Sequence, residues 1–389
     1  MQNQVIPYFQ PIFSLDNQMI WGYEVLGRIQ NSDGTYSSLG SFFSDISIDE
    51  TLRKRVDERV RKMAFIQFRE YHEDCHLFIN VDPNWIGDGA NNVSLESLLD
   101  SQVAPEKIIL EINESDFEGN VEGLSRSLAP FRELGCKIAV DDVGKGFSGL
   151  DRVACLKPDF IKVDLHLIQK STQSRSYRSV LSALSILSQK LGAALIYEGI
   201  EEPDQFANAW RNGGQFYQGY LLAKPQANFT TREHCQTLLQ QQIDHLVKQE
   251  FTFWDHHFHY EWKLNQRMED CIARIVPLPD LDEYTQQFIQ RVDESVFRLY
   301  LCDPSGNQHS SNYIKNSDGL WSKKVEYKGM NWSFRPYFMH NILKMNSYSQ
   351  GILSEPYKDR EFDLMIQTFS CPVHHNMFLF LDIPASSAR

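Results

Sequence analysis

Seven polar side chains in the first 228 residues share a structural position. Glu24, Asn80, Glu111, Asp141, Lys162, Glu198 and Gln218 each fall at or near the C-terminal end of a different short apolar, β-branched run. If those runs are strands of a closed barrel, their ends converge on one face, where such barrels build active sites. Four carboxylates in one mouth, with Asp142 beside Asp141, would repel one another severely unless cations neutralised them. Oxygen-rich ligation of this kind suits hard Mg²⁺ or Mn²⁺. Two such ions can share a bridging carboxylate, activate a water between them and stabilise phosphoryl charge in an in-line displacement. Lys162 could hold or polarise that water, and Gly144, Gly146 and Gly149 let the loop after Asp142 bend toward a ligand. A lone Asp-Asp pair before a Gly-rich turn is commonly a solvated strand end. Seven polar residues at equivalent positions of successive strands are hard to obtain from solvated loops.

The elements that must position these residues are legible as alternation. Apolar runs at 8–13, 19–28, 77–81, 108–112, 137–141, 159–164, 194–200 and 215–222 alternate with longer amphipathic stretches, the pattern of β/α units. The first two are separated only by SLDNQ, too short for a crossover helix, so they should pair as an antiparallel hairpin. The expected fold is a modified (β/α)8 barrel over residues 1–228. A helical connector follows at 229–294, with an interior free of Gly and Pro as far as Pro277 and Pro279. A smaller α+β, PAS-like domain should occupy 295–389, with strands at VFRLYLCD, LWSKKVEY, MIQTFSCPV and MFLFLDI and a helix at PYFMHNILKM.

Composition narrows the classes. Hydrophobic residues make up 42% and aromatics 12% of the 389 residues, which excludes a disordered chain. A net charge of −13 disfavours duplex nucleic acid as a partner, so an anionic ligand would need metals or local arginines. Seven scattered cysteines without a CxxC pair read as reduced thiols of a cytoplasmic protein. No segment approaches the ~20 apolar residues of a membrane span, so membrane insertion is not expected.

The same residues carry a resemblance. Residues 1–228 are similar to EAL-domain cyclic di-GMP phosphodiesterases: the signature glutamate motif stands as EVLGR from Glu24 to Arg28, with valine where the family has alanine. The opening FQPI, FIN ending at Asn80, EINE from Glu111 to Glu114, DDVGKGFSGL from Asp141, Lys162 to Asp164, YEGIE and QGY from Gln218 complete the match. The resemblance implies that Glu24, Asn80, Glu111 and Asp141 ligate one divalent metal, and that Asp141, Asp142 and Glu198 serve a second. Catalysis would rest on Glu198, Lys162 and Asp142, with Lys162 assisting the water and Glu198 also suited to proton transfer. Arg28 would engage a phosphate oxygen bidentately. Gln10, Leu26, Gln218, Pro225, Asp164 and Glu201 would border the substrate, and Glu114 would anchor the Gly-rich loop. Departures at Val143, Phe147 and Gly149 bear on rate more than on binding. Two classes stay open: a working hydrolase, and a barrel that binds cyclic di-GMP and reports it through the C-terminal domain.

The arrangement is similar to the Gram-positive EAL proteins that carry their own C-terminal accessory domain, the YkuI type. That C-terminal region resembles PAS-like sensory domains of the Cache kind. Arg335, Tyr337, Tyr357, Thr368 and Asp382 match the pattern used there around a small-molecule pocket. The alternative is a dimerising module in which Arg335 and Asp382 form structural pairs. His256, His257 and His259 do not share a helix face as an i, i+4 metal pair would, and read as structural or surface residues. The aromatic residues around them, including Phe251, Phe258 and Trp262, would cover a barrel or a second subunit, making a homodimer the expected assembly.

Overall fold

Strand alternation sets the barrel. The computed structural model describes residues 4–86, 95–113, 120–144, 149–335, 338–359 and 361–385. The chain divides into two compact units, Met1–Val247 and Lys248–Arg389.

In the first unit the strands are β1 (Val5–Ser14), β2 (Met19–Gln30), β3 (Tyr36–Ser38), β4 (His76–Asn80), β5 (Ile108–Asn113), β6 (Lys137–Val143), β7 (Phe160–Val163), β8 (Ala194–Tyr197) and β9 (Phe216–Tyr217). They run in the order β1-β9-β8-β7-β6-β5-β4-β2, and β1 pairs with β2 to close an eight-stranded barrel, with β3 appended to β2. As the short connection at residues 15–18 requires, β1 is antiparallel to β2; it is antiparallel to β9 as well, while β2 and β4 through β9 are parallel. The outer helices of this unit are α1 (Gly40–Ser44), α2 (Glu50–Glu70), α3 (Leu95–Asp100), α4 (Val121–Glu133), α5 (Gly149–Leu156), α6 (Leu165–Gln173), α7 (Arg175–Leu191) and α8 (Pro203–Arg211).

Two apolar cores result from the period of two. Outward-facing residues such as Leu77, Leu110, Ile138, Ile161 and Leu195 pack against the helices. Inward-facing Ile12, Phe78, Ile109, Ala139, Phe160, Ile196 and Phe216 fill the barrel interior, each large side chain contributing ~1.5–3 kcal/mol by burial. Beneath this layer Trp21 stacks on His76 at 3.8 Å and lies 4.9 Å from the ring of Phe216. The interior is therefore a packed floor, and chemistry is confined to the opposite end.

The helix α9 (Gln236–Ile272) runs from the first unit into the second, followed by α10 (Leu281–Ile289). Phe251, Phe258 and Trp262 are exposed on α9, and exposed His259 sits 3.4 Å from Asp255. The second unit's sheet comprises β10 (Arg298–Cys302), β11 (Asn312–Lys315), β12 (Trp321–Lys324), β13 (Ile352–Leu353), β14 (Tyr357–Lys358), β15 (Met365–Val373) and β16 (Met377–Pro384). It is antiparallel, in the order β12-β11-β10-β16-β15-β13, with β14 also on β15. Leu299, Leu301, Phe369, Leu379 and Leu381 face the helical side, including α10. Alternate residues Tyr300, Cys302, Phe378 and Phe380 face α11 (Phe338–Tyr348). The α+β expectation holds, with β11, β13 and β14 added and the expected LWSKKVEY strand turning into a 3-10 turn at Val325–Tyr327. Among the described residues no helix is long and apolar enough to cross a membrane.

Candidate active site

Each interior apolar residue points to a polar one two positions on, because successive side chains on one strand face repeat every second residue. Phe78 is followed by Asn80, Ile109 by Glu111, Ala139 by Asp141, Phe160 by Lys162, Ile196 by Glu198 and Phe216 by Gln218. On antiparallel β1 the direction reverses, so Gln10 precedes Ile12, and Gln10 stands opposite Glu24 in register. Sharp turns then take the chain off the rim. Directly after Glu198, Gly199 adopts φ 62°, and a Cβ there would lie 2.8 Å from Leu165 Cβ; after Gln218, a Cβ on Gly219 would meet Ile200 O at 2.1 Å.

The centre of the mouth is the Lys162 ammonium, 1% exposed. Its Nζ lies 2.5 Å from Glu198 Oε1, 2.6 Å from Glu111 Oε1, 3.5 Å from Asp141 Oδ1 and 3.6 Å from Glu24 Oε2. Asn80 Nδ2 donates to Glu24 Oε1 at 3.1 Å and Gln218 Nε2 donates to Glu24 Oε2 at 2.7 Å. Burial pushes Lys162 toward the neutral form, but the charges of Asp141, Glu111 and Glu24 outweigh it and raise its pKa above the ordinary lysine value. In this metal-free arrangement the surrounding carboxylates favour the protonated form of Lys162. Burial, reinforced by the Glu24 charge, holds the Glu111 carboxyl well above the ordinary carboxylate range, and burial raises Asp141 as well.

Asp142 is placed by a bulge. In a regular strand adjacent Asp141 and Asp142 would face opposite sides. Here Asp142 adopts φ 58° and the β6–β7 register slips between Val140 and Val143. Asn113 Nδ2, from β5, donates to Asp142 Oδ2 at 2.8 Å, while the Asp142 N–H donates to Asp141 Oδ1 at 2.8 Å. A left-handed non-glycine residue costs ~1–3 kcal/mol and is retained where surroundings over-determine it, commonly at functional sites. Asn113 was not singled out from sequence; its place two residues after Glu111 on the same strand is the signal that could have found it.

The donor set fits divalent metals. Glu24, Glu111 and Glu198 each offer an oxygen, all within 4.8 Å of one another. Glu111 Oε2 and Gln218 Oε1 are buried and have no hydrogen-bond partner among the described residues. Among the described residues four carboxylates face a single ammonium, so the cluster is short of positive charge as well as of donors. Metal-induced stabilisation should therefore grow with pH. A carboxyl whose pKa is raised in the folded state gives stability that is fully present below its unfolded value and is lost as pH rises through the folded one. Metal-free protein is accordingly penalised by Glu111 and Asp141 above the ordinary carboxylate range, and a cation removes that penalty. Urea midpoints in EDTA and in Mg²⁺ should diverge as pH increases; a constant difference would contradict this reading.

The remaining sequence-derived residues are distributed around the rim. Arg28 is half-buried, its guanidinium 5.4 Å from the Tyr8 ring centre and its Nη1 donating to Gly27 O at 3.0 Å. Burial lowers its pKa, opposed by Tyr220, Tyr8 and Glu24. Tyr8 and the exposed Tyr220 are aromatic neighbours that the sequence reading passed over. Leu26 stands opposite Tyr8 in register, and Pro225 precedes Gln226, which bridges to Phe9 on β1. The Asp164 carboxylate caps α6 through the His166 N–H at 2.7 Å. Glu201 is exposed, with its N–H held by Gln205 Oε1 at 2.8 Å. Glu114, Phe147 and Tyr337 lie outside the described residues.

In the second unit Arg335 and Tyr357 line a cavity, whereas Thr368 and Asp382 lie buried against it. Thr368 Oγ1 donates to Asp382 Oδ1 at 2.5 Å and is 2.6 Å from Tyr357 Oη. Asp382 forms its ion pair with Arg298, at 2.5 Å from Nε, rather than with Arg335. Arg298 was missed; a charged residue inside the apolar run VFRLYLCD was its signal.

Comparison with known proteins agrees with this geometry. Residues 1–225 match the EAL domain model, and residues 229–387 match that of the EAL-domain associated signalling protein domain. The chain is 39% identical to YkuI, an uncharacterized EAL-domain containing protein of Bacillus subtilis, over 99% of this chain and 95% of that one. It is 29% identical to the cyclic di-GMP phosphodiesterase RocR of Pseudomonas aeruginosa, over 59% of each chain. The crystal structure of B. subtilis YkuI in complex with substrate c-di-GMP and calcium superposes with a TM-score of 0.91 at 37% identity, covering 99% of this chain and 97% of that one. A mouth of four carboxylates around one buried lysine, on a barrel with one reversed strand, together with these matches, places this chain in the EAL domain family.

Proposed function

We propose that the barrel hydrolyses cyclic di-GMP to linear pGpG with the help of two divalent cations, Mg²⁺ or Mn²⁺, under the influence of the C-terminal domain. The observation that carries the reading is the complete mouth: Glu24, Asn80, Glu111, Asp141, Lys162 and Glu198 are all present, and polar contacts link them around the Lys162 ammonium. Glu24, Asn80, Glu111 and Asp141 would hold one cation, and Asp141, Asp142 and Glu198 the second. The bound cations would supply Lewis acidity and neutralise charge on the phosphoryl group. Protonated Lys162 would orient the attacking water by donating to it, and Glu198 is suited to move a proton. Water oxygen bonds to phosphorus, the bond from phosphorus to the ribose 3′ oxygen breaks, and that oxygen takes up a proton.

Arg28 would pair with a phosphate, and Tyr8 and Tyr220 offer ring faces beside it. Arg28→Ala should weaken cyclic di-GMP binding by about 10- to 100-fold, the worth of a charge-assisted hydrogen bond. Its Mg²⁺-induced stabilisation should stay at the wild-type level. Calorimetric titration with each ligand checks both; equal affinity for the dinucleotide would remove Arg28 from the site. A homodimer is part of the same proposal, supported by the exposed rings of Phe251, Phe258 and Trp262 on α9. Seven free thiols agree with a cytoplasmic setting. Incubation of cyclic di-GMP with the protein and either metal, followed by ion-exchange chromatography, should yield pGpG. Tight binding without product would favour the receptor reading.

A further inference from the structure

The hairpin of β2 and β3 brings two tyrosine rings together above the barrel mouth. Tyr8 and Gln10 share one face of β1, as Glu24, Leu26 and Arg28 share one face of β2. In the antiparallel register Gln10 stands opposite Glu24, Tyr8 opposite Leu26, Ser38 opposite Arg28 and Tyr36 opposite Gln30. Directly opposed residues lie on one face of a sheet, so Tyr8, Arg28 and Tyr36 are all on the face that carries Glu24. Each step of two residues along β2 climbs on the order of 7 Å. Outward from the carboxylates the order is therefore Glu24, then Leu26 with Tyr8, then Arg28, then Tyr36.

Strands β1 and β3 flank β2 on opposite sides, roughly 10 Å apart across two strand spacings. The rings of Tyr8 and Tyr36 nonetheless meet across it, with centres 5.7 Å apart and planes inclined at 45°. The Arg28 guanidinium lies 5.4 Å from the centre of the Tyr8 ring and forms no ion pair among the described residues. A guanidinium and two aromatic rings thus adjoin one another along the rim.

Core packing does not account for Tyr36. All three residues of β3 are exposed, Tyr36 to 40%, so this strand adds nothing to the apolar core. The hairpin that carries it is closely hydrogen-bonded. The Asn31 N–H donates to Thr35 O at 2.8 Å, and its side-chain amide donates to Thr35 Oγ1 at 2.8 Å and to Ser37 Oγ at 2.9 Å. Asp33 Oδ1 accepts the Thr35 N–H at 2.9 Å, and Gly34 closes the turn at φ 85°. An exposed ring on a pinned hairpin leaves little ordering to be done when a ligand arrives.

We infer that Tyr36 is a base-stacking residue: one purine of the dinucleotide lies on its ring, with Tyr8 beside it and the adjoining phosphate on Arg28. The inference rests on the reading of the barrel as a cyclic di-GMP site. Stacking on an aromatic face needs no charge, which suits a mouth whose carboxylates repel an anionic ligand. The two-residue step from Arg28 to Tyr36 provides the interval that a ribose fills between a phosphate and its base.

Calorimetric titration of the full chain with cyclic di-GMP in Ca²⁺ tests this. Tyr36→Phe keeps the ring and should bind within about threefold of the wild type. Tyr36→Leu keeps apolar bulk but loses the ring face, and should bind about tenfold more weakly or worse, the worth of one stacked base. Both variants should melt within about 2 °C of the wild type and keep its Ca²⁺-induced shift, because Tyr36 belongs neither to the core nor to the carboxylate cluster. If the wild type does not bind cyclic di-GMP, the reading of the barrel and this inference fall together. If the wild type binds and Tyr36→Leu binds equally well, the stacking role alone is overturned. It is overturned as well if Tyr36→Phe loses as much affinity as Tyr36→Leu, or if the weaker binding of Tyr36→Leu comes with a larger fall in melting temperature.

Discussion

Lys162→Met is expected to cost the metal-free protein about 3–5 kcal/mol, because it strips the one ammonium that, among the described residues, contacts the mouth's carboxylates, and leaves buried charge uncompensated. Glu111 is 1% exposed and cannot recover by turning to solvent. For a domain of this size that loss corresponds to a fall of roughly 10 °C in melting temperature. Methionine keeps the length and apolar stem of lysine, so packing of the interior layer beneath it should survive. The distinguishing expectation is rescue: divalent cations can replace the missing charge, so Mg²⁺ should raise the melting temperature of the variant more than that of the wild type. Turnover should still fall by at least about a hundredfold, since the donor that orients the water is gone. Differential scanning calorimetry in EDTA and in Mg²⁺ checks the stability claim. An unchanged melting temperature in EDTA would mean that Lys162 does not compensate the cluster.

Glu111→Gln is expected to act in the opposite direction on stability. The wild-type carboxyl is forced toward protonation by burial and by Glu24, so the neutral amide resembles the form that the metal-free fold already favours. The variant should be as stable as the wild type in EDTA at neutral pH, or more so. Its response to Mg²⁺ should be blunted, and its turnover should drop about a thousandfold, as expected when an electrostatic element of the site is removed. The combination matters: a variant that gains stability while losing function marks a residue kept for chemistry rather than folding. Denaturant titration with and without metal, beside a rate measurement, decides it. Turnover within tenfold of the wild type would exclude Glu111 from metal binding.

The difference between these two neighbours shows what the sequence could and could not say. The positions of Glu111 and Lys162 at strand ends were legible because barrel strands alternate strictly and their ends must converge. The reversed β1 was legible from a five-residue connection that admits only a hairpin. That Lys162 would sit between Glu198 and Glu111, within 2.6 Å of each, was not, because contacts across a barrel depend on strand stagger. The left-handed Asp142 was hidden for a related reason: bulges are set by the neighbouring strand's register, and the Asn113 hydrogen bond that holds this one comes from another element.

In the second unit, Tyr300 and Phe380 were readable as strand residues. β11 was not, since SSNYIK lacks an apolar alternation and owes its burial to pairing between β10 and β12. Asn312 lies on β11 and lines the cavity, its Oδ1 accepting from Gln308 Nε2 at 2.7 Å, and it was illegible for the same reason. Arg335 and Tyr357, by contrast, were found through local pattern, and both line the cavity.

The most direct test of the central claim is hydrolysis in ¹⁸O-labelled water with Mg²⁺ or Mn²⁺, read by mass spectrometry of the nucleotide. The wild type should convert cyclic di-GMP to pGpG carrying one ¹⁸O in its new terminal phosphate. Glu198→Gln, prepared identically, should bind the dinucleotide and leave it unlabelled. Recovery of intact, unlabelled cyclic di-GMP from the wild type after long incubation with either metal would contradict the account and make the barrel a receptor.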